Sequence, residues 1–132
     1  NYSGGGVDYS QQEFEAIRTA RSHGVLFVAA AGNERSNSDK QKYYPANYDL
    51  DNIISVTAID PQLQVLSSSN YGVQSVHIAA PGEDIYSTMP GSTFGSLTGT
   101  SQATAFATGL AVLIRANNPE LNYLAVKNYI LK

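Results

Sequence analysis

A serine stands where a Gly/Thr turn, Gly99-Thr100-Ser101, runs into an apolar stretch of helical spacing from about Ala103 to Ala116. The first N–H groups of a helix lack intrahelical acceptors and lie at the positive end of its dipole, so negative charge is favoured there. A hydroxyl at that point can attack an acyl carbon and have the resulting oxyanion stabilised. An ordinary serine N-cap uses the same residue type at the same place. The second chemical element is Ala29-Ala30-Ala31-Gly32-Asn33, which closes the apolar run Val25-Leu26-Phe27-Val28. Small side chains leave a slot beside the backbone, and the C-terminal ends of strands in open α/β sheets are where ligands bind. The Asn33 carboxamide can donate to an oxyanion; an αL turn after a buried strand would use Gly-Asn equally well.

These residues need a scaffold. Ser10 and Glu13 form a capping-box pattern that opens a helix over Gln11–Ser22 with a stripe Phe14-Ile17-Ala20, ended by Gly24. Val25–Ala31 is a continuous apolar run, as in a parallel strand buried on both faces. Ile53–Ile59 and Val76–Ala80 are the next strands, separated from the first by the polar loop Glu34–Lys42. This spacing predicts an α/β fold, a parallel sheet with flanking helices. Asp84–Thr88 and Thr93–Leu97 flank Met89-Pro90-Gly91-Ser92 as a hairpin leading into the serine turn. Ala103, Phe106, Ala107, Leu110, Leu113 and Ile114 fall at helical spacing, and small residues including Gly109 would let this helix pass close under the sheet. Asn117-Asn118-Pro119 stops it, and Asn122 caps a last helix ending near Leu131.

Composition narrows the function classes. The chain has 132 residues, 42% of them apolar and 14% charged, which fits one globular domain. A net charge of −3 argues against broad nucleic-acid binding. There is no cysteine for a disulfide or thiolate site, and no apolar stretch long enough to span a membrane. Gly4-Gly5-Gly6 lacks the spacing of a dinucleotide fingerprint, and Gly99-Thr100-Ser101 lacks the lysine of a P-loop.

The order of short motifs resembles the subtilases, the subtilisin-like serine proteases. Asn1-Tyr2-Ser3-Gly4-Gly5-Gly6 is similar to the family's substrate-flanking strand, and Gly24 to Asn33 to its strand ending in Ala-Ala-Gly-Asn. Tyr44-Pro45-Ala46, Ile53–Ala58, Ser67–Gly72, Ile78–Gly82 and Gly99-Thr100-Ser101 follow in the family order, so the resemblance covers essentially residues 1–132. It implies a subtilisin-like fold, in part: the C-terminal half of a catalytic domain. It implies Ser101 as nucleophile, with its own N–H and the Asn33 side chain as oxyanion donors. Ser3, Gly4 and Gly5 would pair with an extended peptide substrate, while Ala30, Ala31 and Gly32 would line the pocket for the side chain before the scissile bond. Gly4 stands where relatives often carry a larger residue, so a wider pocket is expected.

The family's catalytic Asp and His precede the first of these motifs. His23 follows a helix and His77 lies in a strand, and neither is in the family's histidine motif, so no triad is assignable within the chain. Gln102, Ala105 and Phe106 replace the family's usual Met, Pro and His; Phe106 is expected to restore buried volume. These departures make a catalytically degenerate peptide-binding or scaffold domain the alternative to a serine endopeptidase. No cofactor is expected, though Asp49, Asp51 and Asn52 form a candidate calcium turn. The resemblance implies a secreted, periplasmic or extracellular parent protein. The expected partners are a peptide or protein substrate and the N-terminal half of the domain. Without that half, self-association through the open strand edge at Asn1–Ser3 is expected.

Overall fold

In the computed structural model, which describes residues 1–132, the elements run α1 (Gln11–Ser22), β1 (Phe27–Ala30), β2 (Ile53–Ile59), β3 (Ile78–Pro81), β4 (Ile85–Met89), β5 (Thr93–Leu97), α2 (Thr100–Asn117) and α3 (Tyr123–Ile130). β1, β2 and β3 pair in parallel in that order, with Phe27 opposite Ile53 and Val56 opposite Ile78. Tyr2 adds an isolated parallel bridge outside β1, its N–H donating to Val28 O and its carbonyl accepting from Ala30 N. The strand expected to lack neighbours at Asn1–Ser3 is therefore paired on one side.

Alternation along the central strands sends side chains to two cores. Val28, Ile54, Val56 and Ala58 pack with Ala80, Ala103 and Ala107 of β3 and α2 on one face. Ala29 and Ile53 pack with Ile17 of α1 and with Ala46, Tyr48 and Leu50 on the other. Helix α2 meets all three strands of the parallel sheet. Its buried residues are Thr100, Ala103, Thr104, Ala107 and Ala111, small side chains that bring its axis close to the sheet.

Two expectations for this helix are corrected. Phe106 is 49% exposed and fills no core, because the alanine stripe and not the bulky apolar stripe faces the sheet. Gly109 lies on the open side, where an added Cβ would meet nothing within 4 Å. The helix also begins earlier than its apolar pattern, at Thr100.

Local signals place the remaining ends. Ser10 Oγ accepts from Glu13 N, as a capping box requires, but the Glu13 carboxylate accepts from the Tyr48 hydroxyl at 2.8 Å instead of reaching back. Burial and that carboxylate push the Tyr48 phenol up to about 12. Gly24, at φ +76°, closes α1, and Val25 N donates to Ala20 O. With its amide spent on the helix end, Val25 stays outside the strand, and β1 begins at Phe27. β4 and β5 form the expected antiparallel hairpin, with Tyr86 and Phe94 stacked 6.0 Å apart on an exposed face. Asn122 caps α3 by accepting from Ala125 N.

α3 is anchored by a buried lysine. Lys127 Nζ donates to Asp51 O at 3.1 Å and to Ile53 O, and lies 3.3 Å from His77 Nε2. On the other side of the ring, His77 Nδ1 accepts from Ser55 N at 2.9 Å. Burial, then the neighbouring Lys127 charge, lowers the His77 pKa from 6.5 to about 4. The folded chain thus holds this histidine neutral where the unfolded chain would bind a proton. Its contribution to stability is whole above pH 6.5 and is lost as the pH falls towards about 4. We predict that urea midpoints fall across this window and that His77→Gln flattens the decline. An equal slope in the variant would show that other groups cause it.

Candidate active site

The turn before α2 is built around Asn33. Its Oδ1 accepts from Thr100 N at 2.9 Å and from Thr100 Oγ1 at 3.1 Å. Gly99, the residue at the cap position, has no side chain to offer, so the end of the β1 segment caps α2 from across the fold. Ser101 consequently lies inside the first turn and is not the cap itself. The backbone N–H of Ser101 has no acceptor within the chain, as expected at a helix start. One N–H and one hydroxyl, both of Thr100, fix the Asn33 oxygen, which leaves Nδ2 as the free end of the carboxamide.

The loop that carries Asn33 is held by a residue to which the sequence assigned no role. Asn70 is 1% exposed, and its carboxamide is fully used. Oδ1 accepts from Glu34 N and Ser36 N, while Nδ2 donates to Ala31 O and Glu34 Oε2. Its backbone N–H donates to Gly32 O. Gly32 is at φ +103°, and a Cβ there would lie 2.3 Å from Asn70 Nδ2, so glycine is required both by the turn and by this contact. The only sequence signal was the run Ser69-Asn70-Tyr71-Gly72; nothing in it indicates that one asparagine spans four groups of a loop more than thirty residues earlier.

Ser3 and Ser101 clasp each other. Ser101 Oγ donates to Ser3 O and Ser3 Oγ donates to Ser101 O, both at 3.1 Å. Asn1 secures the segment, donating through Nδ2 to Ser3 Oγ and accepting from Thr108 Oγ1. Ser3, Gly4 and Gly5 thus lie on one side and Ala30, Ala31 and Gly32 on the other, bridged by the pairing of Tyr2 with β1. A Cβ added at Gly4 would make an ordinary contact with the Tyr2 ring at 3.5 Å. The Tyr43 ring lies against Gly5 and Gly32.

No histidine reaches Ser101. His23 Nδ1 lies 2.9 Å from Thr19 O and 3.3 Å from Ser22 Oγ at the end of α1. His77 is engaged by Ser55 and Lys127. At the candidate calcium turn the Asp51 carboxylate pairs with Arg21 at 2.7 Å and accepts from the Tyr123 hydroxyl, and Asn52 Nδ2 donates inward to Val25 O. No group of three or more His, Cys, Asp or Glu residues is arranged to hold a metal ion.

The loop's dependence on Asn70 gives a direct expectation. Asn70→Ala should lower stability by about 1–3 kcal/mol, the cost of leaving a buried backbone group such as Ala31 O unpaired. Urea unfolding measures this, and an unchanged midpoint would show that the loop holds without the carboxamide.

This geometry has known counterparts. The model of the subtilase family matches residues 1–132. Subtilisin BL of Lederbergia lenta is 40% identical over 116 residues, covering 88% of this chain and 41% of that protein. Subtilisin DY of Bacillus licheniformis is 38% identical over 129 residues, 97% of this chain and 46% of that protein. The M-protease of Shouchella clausii (strain KSM-K16) is also 40% identical over 116 residues, but these make up 29% of its length. Among solved structures, the S218A mutant of the protease domain of PatA superposes with a TM-score of 0.83 at 31% identity, covering 96% of this chain and 48% of that one. The prenylagaramide maturation protease PagA superposes equally well, with a TM-score of 0.83 at 28% identity. The chain therefore spans less than half the length of these relatives. Collinear motifs, a parallel sheet of the same shape and a family match over every residue lead to one assignment: the chain belongs to the subtilase family.

Proposed function

We propose that the protein containing this chain is a serine endopeptidase that cleaves extended peptides through an acyl-enzyme on Ser101. The observation that carries the reading is the pair of donors at the start of α2: the Ser101 N–H without an acceptor, and Asn33 turned so that Thr100 holds its oxygen and its amide nitrogen is free. Ser101 Oγ attacks the peptide carbonyl and passes its proton to a base. The oxyanion formed accepts from both donors, the amine leaves with the proton, and water hydrolyses the ester. Ser3, Gly4 and Gly5 bind the peptide backbone as an added strand, and Ala30, Ala31 and Gly32 flank the side chain before the cleaved bond.

The base and its orienter come from polypeptide outside these residues, because the acceptor that Ser101 Oγ finds here is the Ser3 carbonyl. An uncovered apolar groove of about 1090 Å³ supports the same inference. Ile85, Met89, Leu97, Phe106, Leu110 and Leu113 line it, and Ser3 and Ser101 lie at its rim. We assign its cover to the remainder of the catalytic domain, in keeping with the share of the relatives that this chain spans. A secreted, extracellular protein is part of the proposal and rests on the family; no helix is long and apolar enough to cross a membrane.

A fluorophosphonate probe tests the chemistry. The chain alone should give no adduct. The whole protein should give a single adduct that Ser101→Ala abolishes, and Asn33→Ala should lower kcat by roughly 10²–10³, the magnitude known for the asparagine donor of subtilisin itself. A whole protein that binds extended peptides yet forms no adduct would be the degenerate, peptide-binding form. The groove generates its own expectation: in sedimentation the chain alone should associate with itself, and a well-behaved monomer of 14.1 kDa would count against the uncovered face.

A further inference from the structure

We propose that Tyr43 closes the slot for the side chain that precedes the scissile bond, so that the enzyme accepts only small residues there: glycine, alanine or serine. The inference rests on the hydrolase reading above and goes beyond it by naming the substrate class. Glycines at 5 and 32 would ordinarily leave open space between the two substrate-flanking segments. Here the Tyr43 ring fills part of that space, beside Tyr44 O at Gly5 and beside the Asn70 and Glu34 side chains at Gly32. A Cβ built on Gly5 would lie 2.5 Å from Tyr43 Cε1, and one built on Gly32 would lie 2.9 Å from Tyr43 Cε2. One edge of the ring faces each segment, and the residue is only 8% exposed.

The ring is fixed from behind. Tyr44 N donates to Gly6 O at 2.7 Å and Gly6 N donates to Tyr44 O at 2.9 Å, so residues 43–44 are strapped to the same strand segment that would bind the peptide. Tyr43 N also donates to Asn47 Oδ1 at 2.9 Å. These bonds fix the backbone from which the ring projects. Burial, with Glu34 and Tyr2 nearby, raises the phenol pKa, so the plug stays uncharged. A large side chain entering the slot would have to overlap a ring that is already packed, and close-packed sites do not give up such volume without strain. A methyl or hydroxymethyl group fits outside the ring; a second aromatic ring does not.

The test uses the whole protein and peptides that differ only in the residue before the cleaved bond. Wild type should favour alanine over phenylalanine in kcat/KM by about tenfold or more, and Tyr43→Ala should move that ratio towards phenylalanine by about tenfold or more, in the range that pocket volume commands. Tyr43→Phe, which keeps the ring without the hydroxyl, should retain the wild-type preference. If Tyr43→Ala does not fold, the wild-type preference still decides, together with Tyr43→Leu, which should relax it. Equal cleavage after alanine and phenylalanine by wild type, or an unmoved ratio in a folded Tyr43→Ala, overturns the proposal. Either result alongside a fluorophosphonate adduct on Ser101 leaves the hydrolase reading standing. No turnover of any peptide and no adduct overturns both.

Discussion

The close seating of α2 beneath the parallel sheet is the constraint on which the rest of the structure depends. It is achieved by having almost nothing in the way: Ala103 and Ala107 meet Val56, Ala58 and Ala80. A helix so near the sheet brings its N-terminus level with the C-terminal end of β1, where Asn33 can reach Thr100. The same asparagine oxygen that satisfies the helix end orients the amide nitrogen that is left over. Packing, capping and chemistry are therefore one arrangement. Enlarging the alanine face would displace the site as well as the core.

Around this seat, the polar residues do what an apolar core cannot. Asn70 ties together four groups of the loop that carries Asn33, and Asp39 accepts from Val73, Gln74 and Ser75, which ties the following turn to the same loop. At the other end of the sheet, Lys127 takes up the carbonyls of Asp51 and Ile53. Buried donors and acceptors of this kind hold only when each is paired, so they impose one loop geometry where apolar contacts would tolerate several. The loops on this side of the sheet are thereby held by the chain's own polar side chains.

Ser10, Gly24 and Asn122 each mark a helix end by chemistry that acts within three or four residues, and all three are found where the sequence places them. The strand Ile53–Ile59 was equally legible, because it is a continuous β-branched and apolar run and is buried along nearly all its length. The helix start at Thr100 was not legible, since the group that caps it lies 67 residues earlier. Nor was the face of α2. Its bulky residues Phe106, Leu110 and Leu113 have the stronger apolar pattern, yet the alanines face the sheet, because only small residues permit the approach.

The sequence by itself determined the family, the order of the elements and the residue types of the site, since collinear motifs and local periodicity are properties of the chain. It marked Ser101 and Asn33 as the candidates to attack and to donate. Only the tertiary structure decided how they are used. It made Asn33 the cap of α2, gave Asn70 the task of holding that loop, and seated the Tyr43 ring between Gly5 and Gly32 where the sequence suggested a wider slot. Each of these depends on contacts between segments far apart in the chain. Such contacts are set by how closely the helix and sheet can pack, which no short stretch of sequence encodes.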